Sequence, residues 1–203
     1  MLVINPRILL QLVAVEIVVS LNAVKESNVN FTEHWLSKHK AVFDIFDVNK
    51  DGVVTKEEHI DLTTERAKRV LEPWRAKAVY GIMSDSYKTW WSNKDTNYAT
   101  SITFEELIPA LEKEVQYTRE AIIQNCWDWF HTFDLDCDEK LTVDEYSKFL
   151  TVFRNTAPVQ NVFKAIDRDG NGVINGEKFL YGFQHTWYDT KASSADFILG
   201  AHH

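Results

Sequence analysis

The chain has 203 residues, of which 45% are hydrophobic and 13% aromatic, and its formal net charge is −8. This composition can fill a packed core, so it excludes a disordered tail. The acidic balance excludes a general surface for nucleic acid, which needs clustered Lys and Arg, and it suits cations instead.

The first predicted element is the amino-terminal segment 1–23, which differs in composition from the rest of the chain. Arg7 precedes the largely apolar stretch 8–21, an arrangement typical of a signal peptide, but Glu16 interrupts the apolar core. Two interpretations stay open, a signal peptide and a cytosolic amphipathic extension. We expect no stable membrane span, because a span needs ~20 apolar residues.

Localisation depends on this segment, since its removal as a signal peptide would indicate a secreted protein. The two cysteines, Cys126 and Cys137, are too few for a disulfide framework. A helix between Cys126 and Asp134 would rise by ~12 Å, beyond the usual Cα separation of a disulfide. Free thiols suit a reducing environment, so a cytoplasmic location is slightly favoured.

A repeated motif follows, consisting of two apolar residues three apart, a loop of twelve residues and an aliphatic residue at the eighth loop position. The apolar pairs are Phe43 and Phe46, Phe130 and Phe133, and Phe163 and Ile166. The aliphatic residues are Val54, Ile102, Leu141 and Ile174. Each can form a short strand that pairs with a partner loop. The motif predicts an all-α fold of four helix-loop-helix units in two pairs, 33–110 and 119–200, with short β-bridges between paired loops.

The loop 47–58, loop I, offers oxygen ligands at the positions that a calcium loop requires. At positions one, three, five, seven and twelve stand Asp47, Asn49, Asp51, Val53 and Glu58. Calcium takes six to eight oxygens, here from side chains, the position-seven carbonyl and a bidentate glutamate. Gly52 allows the left-handed turn at position six. This is the EF-hand pattern, and the chain resembles the EF-hand superfamily.

The loop 134–145, loop III, has the same ligand spacing but lacks the glycine. Its predicted ligands are Asp134, Asp136, Asp138, the Lys140 carbonyl and Glu145. Glu139 stands at position six, where a positive φ costs on the order of 1 to 2 kcal/mol. A micromolar calcium site represents about 8 kcal/mol, so we expect binding to survive in a weakened form.

The other two loops depart further from the pattern. Loop IV, 167–178, begins with Asp167, Asp169, Asn171 and Val173, but Lys178 stands where the bidentate glutamate belongs. A cation there supplies no ligand, so we expect weak or absent calcium binding, unless a distorted loop re-aims Glu177. Loop II, 95–106, is degenerate and is predicted to serve as the strand partner of loop I. Two calcium ions are predicted, and a third stays open.

The run Trp35-Leu36-Ser37-Lys38-His39-Lys40, followed by Phe43 and Phe46-Asp47-Val48-Asn49, resembles the first EF-hand of the cnidarian calcium-regulated, aequorin-like photoproteins. The sarcoplasmic calcium-binding proteins share the four-unit architecture with a degenerate second unit. The photoprotein resemblance implies a coelenterazine pocket, with calcium triggering light emission. It places Trp35, His39 and Trp187 at pocket positions, whereas Phe183 stands where that family has a histidine.

These patterns support two hypotheses for function. The first is a calcium buffer or sensor of the sarcoplasmic type, and the second is a photoprotein or a carrier of a coelenterazine-like ligand. A groove like that of calmodulin is disfavoured, because such grooves are Met-rich and only Met1 and Met83 occur. No hydrolase or phosphotransferase motif appears, and the sequence identifies no protein target.

Overall fold

Helices account for most of the chain, as the repeated motif predicts. The computed structural model describes residues 32–91, 101–117, 119–155, 158–188 and 199. The segment 1–23 and the first half of loop II lie outside these residues, so the signal-peptide interpretation stays a prediction. None of the helices in the described ranges combines the length and the apolar character that crossing a bilayer demands.

Eight α-helices occur among the described residues. In chain order they are α1 Glu33–Phe46, α2 Leu62–Val70, α3 Pro73–Ser86, α4 Phe104–Tyr117, α5 Arg119–Phe133, α6 Val143–Val152, α7 Val159–Ile166 and α8 Gly176–Tyr188. Two π-helical turns adjoin them, Glu57–Asp61 directly before α2 and Tyr87–Trp91 directly after α3. These π-helical turns are not predicted by the repeated motif.

Local side-chain chemistry explains where several helices begin. The Thr32 hydroxyl accepts a hydrogen bond from the Trp35 amide at 3.2 Å and so caps α1. Thr142 and Glu145 form a reciprocal capping box at the start of α6. Pro73 is the first residue of α3 and Pro158 immediately precedes α7, where a missing amide proton costs little.

Four two-residue strands link the loops in pairs. They are β1 Val53–Val54, β2 Ile102–Thr103, β3 Lys140–Leu141 and β4 Ile174–Asn175. β1 pairs antiparallel with β2, and β3 with β4, so that Val54 lies opposite Ile102 and Leu141 opposite Ile174. These four side chains are buried. The predicted fold class, with β-bridges between paired loops, is confirmed.

The core draws on helices from both predicted pairs. α3 packs against α5, α2 against α6 and α1 against α8, and these contacts join the two pairs. All six residues of the predicted apolar pairs are buried, with exposures of 4% or less. The described residues belong to one unit, Phe31–His203. The loops of both pairs are therefore anchored to a shared core, while the limits 33–110 and 119–200 stay a prediction.

Candidate calcium sites

Loop I folds so that its ligand side chains accept hydrogen bonds from its own backbone. The Gly52 amide donates to Asp47 Oδ2 at 3.1 Å, the Asp51 amide to Asn49 Oδ1 at 2.9 Å, and the Val53 amide to Asp51 Oδ1 at 2.9 Å. The bonds to Asn49 and Asp51 are Asx turns, which tie a side chain to the backbone two residues further on, and the bond to Asp47 spans five residues. The predicted ligands of loop I are thus gathered on the inside of one turn.

Glu58 is turned toward the same interior. Its Oε1 accepts from the Val48 amide at 3.1 Å, and its Oε2 accepts from the Thr55 amide at 3.0 Å and the Thr55 hydroxyl at 2.9 Å. The carboxylate is buried. Both of its oxygens are therefore oriented before any cation binds, as a bidentate ligand requires.

The environment of Asp47 Oδ1 indicates whether the residues of loop I fit a cation. Asp47 is 3% exposed, and its Oδ1 is buried without a hydrogen-bond partner among the described residues. A buried carboxylate oxygen without a partner is costly, and a hard cation would satisfy it. The donor set of loop I, all oxygen and rich in carboxylates, therefore fits calcium.

Loop III repeats this arrangement with more negative charge. Carboxylate oxygens of Asp134, Asp136 and Asp138 lie within 4.8 Å of one another. Glu145 Oε1 accepts from the Leu135 amide at 2.7 Å, and its Oε2 accepts from the Thr142 amide at 2.8 Å. Burial raises the pKa of Asp134, with a further contribution from the charges of Glu145 and Asp138. A divalent cation would relieve that repulsion, so the donor set of loop III also fits calcium.

The backbone is left-handed at two positions in each of these loops. Glu139, at position six, has φ +65°, as the sequence predicts. Cys137, at position four, has φ +61°, which the sequence analysis missed. The corresponding residues are Lys50 and Gly52 in loop I and Gly170 and Gly172 in loop IV. Loop III therefore places residues with side chains at both strained positions, whereas loop IV has glycine at both.

Loop IV has a cationic side chain at its centre. The Lys178 ammonium, 6% exposed, donates to Asp167 Oδ1 at 2.6 Å, Asp169 Oδ1 at 2.5 Å, Asn171 Oδ1 at 2.9 Å and the Val173 carbonyl at 2.8 Å. Burial opposes the charged ammonium, but the hydrogen bonds and charges of Asp167 and Asp169 outweigh it and raise the pKa of Lys178. The sequence predicts a positive charge near the metal, and it misses that this charge contacts every predicted ligand of the loop.

Loop II keeps its closing turn. Glu106 accepts hydrogen bonds from the Thr103 amide and hydroxyl, both at 2.9 Å, and these bonds lower the pKa of Glu106. Thr55 with Glu58 and Thr142 with Glu145 make the same turn. The predicted role of loop II as strand partner of loop I is confirmed by the β1–β2 pairing.

Two arginines connect the loops to the opposite half of the chain. Arg75, on α3, donates to the carbonyls of His131, Thr132 and Leu135 at 2.8, 2.9 and 3.1 Å, where α5 runs into loop III. Arg154 donates to the Ile45 carbonyl at 2.9 Å, where α1 runs into loop I. Cations suit helix carboxyl ends, whose carbonyls lack partners. Neither arginine was predicted from the sequence, because no local pattern signals such distant contacts.

The three residues predicted to line a pocket lie together. Trp35 Nε1 donates to the Trp187 carbonyl at 3.0 Å, and the His39 ring centroid lies 3.9 Å from that of Trp35 and 5.3 Å from that of Trp187. Burial lowers the pKa of His39 to about 4, so the ring is neutral at physiological pH. Its Nδ1 lies 2.9 Å from the Trp35 carbonyl, which can only accept. The proton therefore resides on Nδ1, and the Nε2 lone pair is buried with no partner among the described residues.

A cavity adjoins this cluster at Trp187. Its volume is about 40 Å³, enough for a few water molecules and far below the roughly 300–1,000 Å³ of a drug-sized pocket. Phe183, at the predicted histidine position, also lines it. The full lining is Val42, Phe46, His59, Met83, Ser86, Asn125, Trp129, Phe149, Phe153, Phe183, Trp187 and Leu199.

Comparisons with known proteins agree with this geometry. A model of the EF hand matches residues 40–58, and a model of the EF-hand domain pair matches residues 155–185. Clytin from Clytia gregaria is 22% identical over 179 residues, covering 82% of this chain and 88% of clytin. A crystal structure of the photoprotein clytin superposes with a TM-score of 0.69 at 15% identity, covering 86% of this chain and 96% of that one.

Two further solved structures share the fold. A sarcoplasmic calcium-binding protein from amphioxus has a TM-score of 0.60 at 17% identity, covering 85% of this chain and 100% of its own. The calcium-loaded apo form of a coelenterazine-binding protein from Renilla muelleri has a TM-score of 0.61 at 17% identity, and the match covers 81% of this chain and 93% of that one.

Fold, loops and family-model matches agree on one class of protein: residues 40–58 match the EF hand, and residues 155–185 match the EF-hand domain pair. The chain is similar both to a sarcoplasmic calcium-binding protein and to photoproteins.

Proposed function

We propose that the protein binds two calcium ions, at loops I and III, and acts as a calcium buffer or sensor of the sarcoplasmic type. The observation that carries this proposal is Oδ1 of buried Asp47, which has no hydrogen-bond partner among the described residues and points to a cation at the centre of loop I. The clustered carboxylates of loop III, with the Lys140 carbonyl beside them in sequence, support a second ion.

The packing favours a compact buffer over a protein that opens a target groove. Helices of the two pairs contact one another, and Arg75 and Arg154 tie the helix ends before loops III and I to the opposite half. Opening either pair would break these hydrogen bonds. The chain also has only two methionines, whereas adaptable target grooves are Met-rich.

Calorimetric titration of calcium into the metal-free protein tests this proposal. The wild type should bind two ions, and Glu58→Gln and Glu145→Gln should each bind one, because a neutral amide cannot replace a bidentate carboxylate. Glu57→Gln is the matched control, since it removes the charge of an exposed neighbour of Glu58. An unchanged stoichiometry in Glu58→Gln would contradict the assignment of loop I.

A second candidate function is the binding of a coelenterazine-like ligand. The buried Nε2 lone pair of His39, which has no partner in the part of the chain that the structure describes, favours it. An acceptor of this kind in an aromatic environment suits a ligand that carries a hydroxyl or amide donor. A structural neighbour from Renilla muelleri is a coelenterazine-binding protein. Against this candidate stand the cavity of about 40 Å³ and Phe183 in place of a histidine. Binding would therefore require the cavity to enlarge.

Absorbance titration with coelenterazine in the presence of oxygen, followed by addition of calcium, tests the second candidate. A bound ligand should shift its absorbance with wild type and less with His39→Phe, and a photoprotein should then emit light. His131→Phe is a suitable control, since His131 is exposed. An unchanged spectrum together with darkness would remove this candidate and leave the calcium proposal intact.

A further inference from the structure

We propose that Lys178 is the resident cation of loop IV, its ammonium taking the place that calcium would hold and closing the loop without metal. The proposal rests on the calcium function inferred for loops I and III. It adds that the carboxyl-terminal pair has one calcium site, in loop III, beside a partner loop that is closed at every calcium concentration.

The geometry of the ammonium is the first support. Its four oxygen contacts, at 2.5 to 2.9 Å, are with loop positions one, three, five and seven, the side chains and carbonyl that would bind calcium. An ammonium has only three protons to donate, so at least one proton is shared between two oxygens. Lys178 itself is the residue at position twelve. It therefore removes the bidentate ligand and contacts every other ligand group of the loop.

The charge of the loop is the second support. Loop I has three carboxylates among its predicted ligands, and a divalent cation would leave one negative charge. Loop IV has two carboxylates, Asp167 and Asp169, and one ammonium, which also leave one negative charge. The ammonium of Lys178 therefore leaves loop IV with the same net charge that calcium would leave in loop I.

The rest of loop IV has the architecture of the other loops. The amides of Gly172, Asn171 and Val173 donate to Asp167, Asp169 and Asn171 at 2.9, 3.1 and 3.1 Å. Asn175 accepts from the Lys178 amide at 3.0 Å and so replaces the threonine that caps the following helix elsewhere. β4 pairs with β3. Loop IV thus pairs with the strand of loop III while the Lys178 ammonium contacts the ligand oxygens of loop IV.

Calcium from solvent competes poorly with this ammonium for two reasons. The lysine is tethered, so its effective concentration at the loop is high and independent of the calcium level. An entering ion would also displace a buried ammonium from four oxygen contacts and would find no carboxylate at position twelve.

The first experiment counts calcium ions by calorimetry in wild type, Lys178→Glu and Lys164→Glu. Lys178→Glu should bind one ion more than wild type, three instead of two, because it restores the closing carboxylate. Lys164→Glu makes the same charge reversal at an exposed residue just before the loop and should still bind two. Wild type that binds no calcium would overturn the proposed function. Three ions in wild type, or two in Lys178→Glu, would overturn the role of Lys178 alone.

The second experiment observes the ammonium directly in the wild-type protein and uses one variant only to assign its signal. Nitrogen-15 NMR of the wild type should show the Lys178 ammonium with slowly exchanging protons, both in metal-free protein and in calcium-saturated protein. Lys38 is also buried and donates to the His185 carbonyl at 2.6 Å, so a second slowly exchanging ammonium is expected and the two signals have to be assigned. Lys178→Met identifies the signal by its loss. A Lys178 signal that disappears when calcium is added would show that the ion displaces the lysine. Fast exchange of the Lys178 ammonium protons in metal-free protein would show that the ammonium is not held by the loop oxygens. Either result would overturn the proposal.

Discussion

Loops III and IV are paired through β3 and β4, share the same turn geometry and differ most at position twelve, where one has Glu145 and the other Lys178. In loop III the closing carboxylate is bound to backbone amides, and its neighbours at positions one, three and five are three aspartates. In loop IV the closing ammonium contacts the ligand oxygens themselves. The two loops thus share one backbone geometry. Loop III presents its ligands to a cation from solvent, whereas the ligands of loop IV contact the ammonium of the loop's own Lys178.

The two loops also differ in the charge repulsion and backbone strain of their metal-free conformations. Loop III concentrates four carboxylates and puts Cys137 and Glu139 at positive φ, so the metal-free loop combines repulsion with backbone strain. Loop IV has two carboxylates and glycine at both left-handed positions. Calcium can relieve the carboxylate repulsion of loop III, and loop IV has no comparable excess of negative charge. We therefore expect loop III alone of the two to respond to calcium.

Exchanging the closing residue should have the largest effect. Glu145→Lys puts an ammonium beside the three aspartates of loop III and removes the bidentate ligand. We expect this variant to bind one calcium ion, with the affinity of loop III reduced at least about 100-fold, or about 2.7 kcal/mol. Calorimetry measures this change, and Asp144→Lys makes the same charge reversal one residue earlier as a control. If Glu145→Lys still binds two ions, position twelve does not distinguish the loops.

Removing the arginine that anchors loop III should have the next largest effect. Arg75→Met leaves the carbonyls of His131, Thr132 and Leu135 without their donor. Because unsatisfied buried carbonyls cost about 1–3 kcal/mol each and some will find water, we expect the free energy of unfolding to fall by roughly 2–4 kcal/mol. Urea denaturation with and without calcium measures this loss. The exposed Arg69→Met serves as control, and equal stability of the two variants would show that Arg75 does not anchor the loop.

Relieving the backbone of loop III should have the smallest effect. Glu139→Gly gives position six the residue that loop IV has in Gly172, and removes on the order of 1 kcal/mol of strain. The free energy of unfolding of the metal-free protein should therefore rise by about 1 kcal/mol, as measured by urea denaturation, because the left-handed backbone is present before calcium binds. Glu139→Ala loses the same charge but keeps a side chain at φ +65°. If the alanine variant gains as much stability as the glycine variant, the removed charge accounts for the gain and the strain does not.

Much of the fold was predictable because its signals are local. The pairs Phe43 with Phe46 and Phe130 with Phe133 are three apart and therefore share a helix face, which the structure buries. Val54, Ile102, Leu141 and Ile174 share the eighth loop position, and the structure pairs them as expected. The positive φ of Glu139 also follows from its place in the loop. The ligand assignments and the number of ions stay predictions.

The sequence by itself therefore determined the fold class, the loop pairing and the register of the strands, because helical period and loop spacing act over a few residues. Tertiary structure decided the rest. Whether Lys178 points away from its loop or into it depends on folding a flexible side chain back over eleven residues onto Asp167. Arg75 donates to carbonyls more than fifty residues away, and burial against Trp187 leaves Nε2 of His39 without a hydrogen-bond partner among the described residues. Burial, long-range contacts and side-chain direction arise only when the helices pack, and they distinguish a calcium loop from one closed by its own lysine.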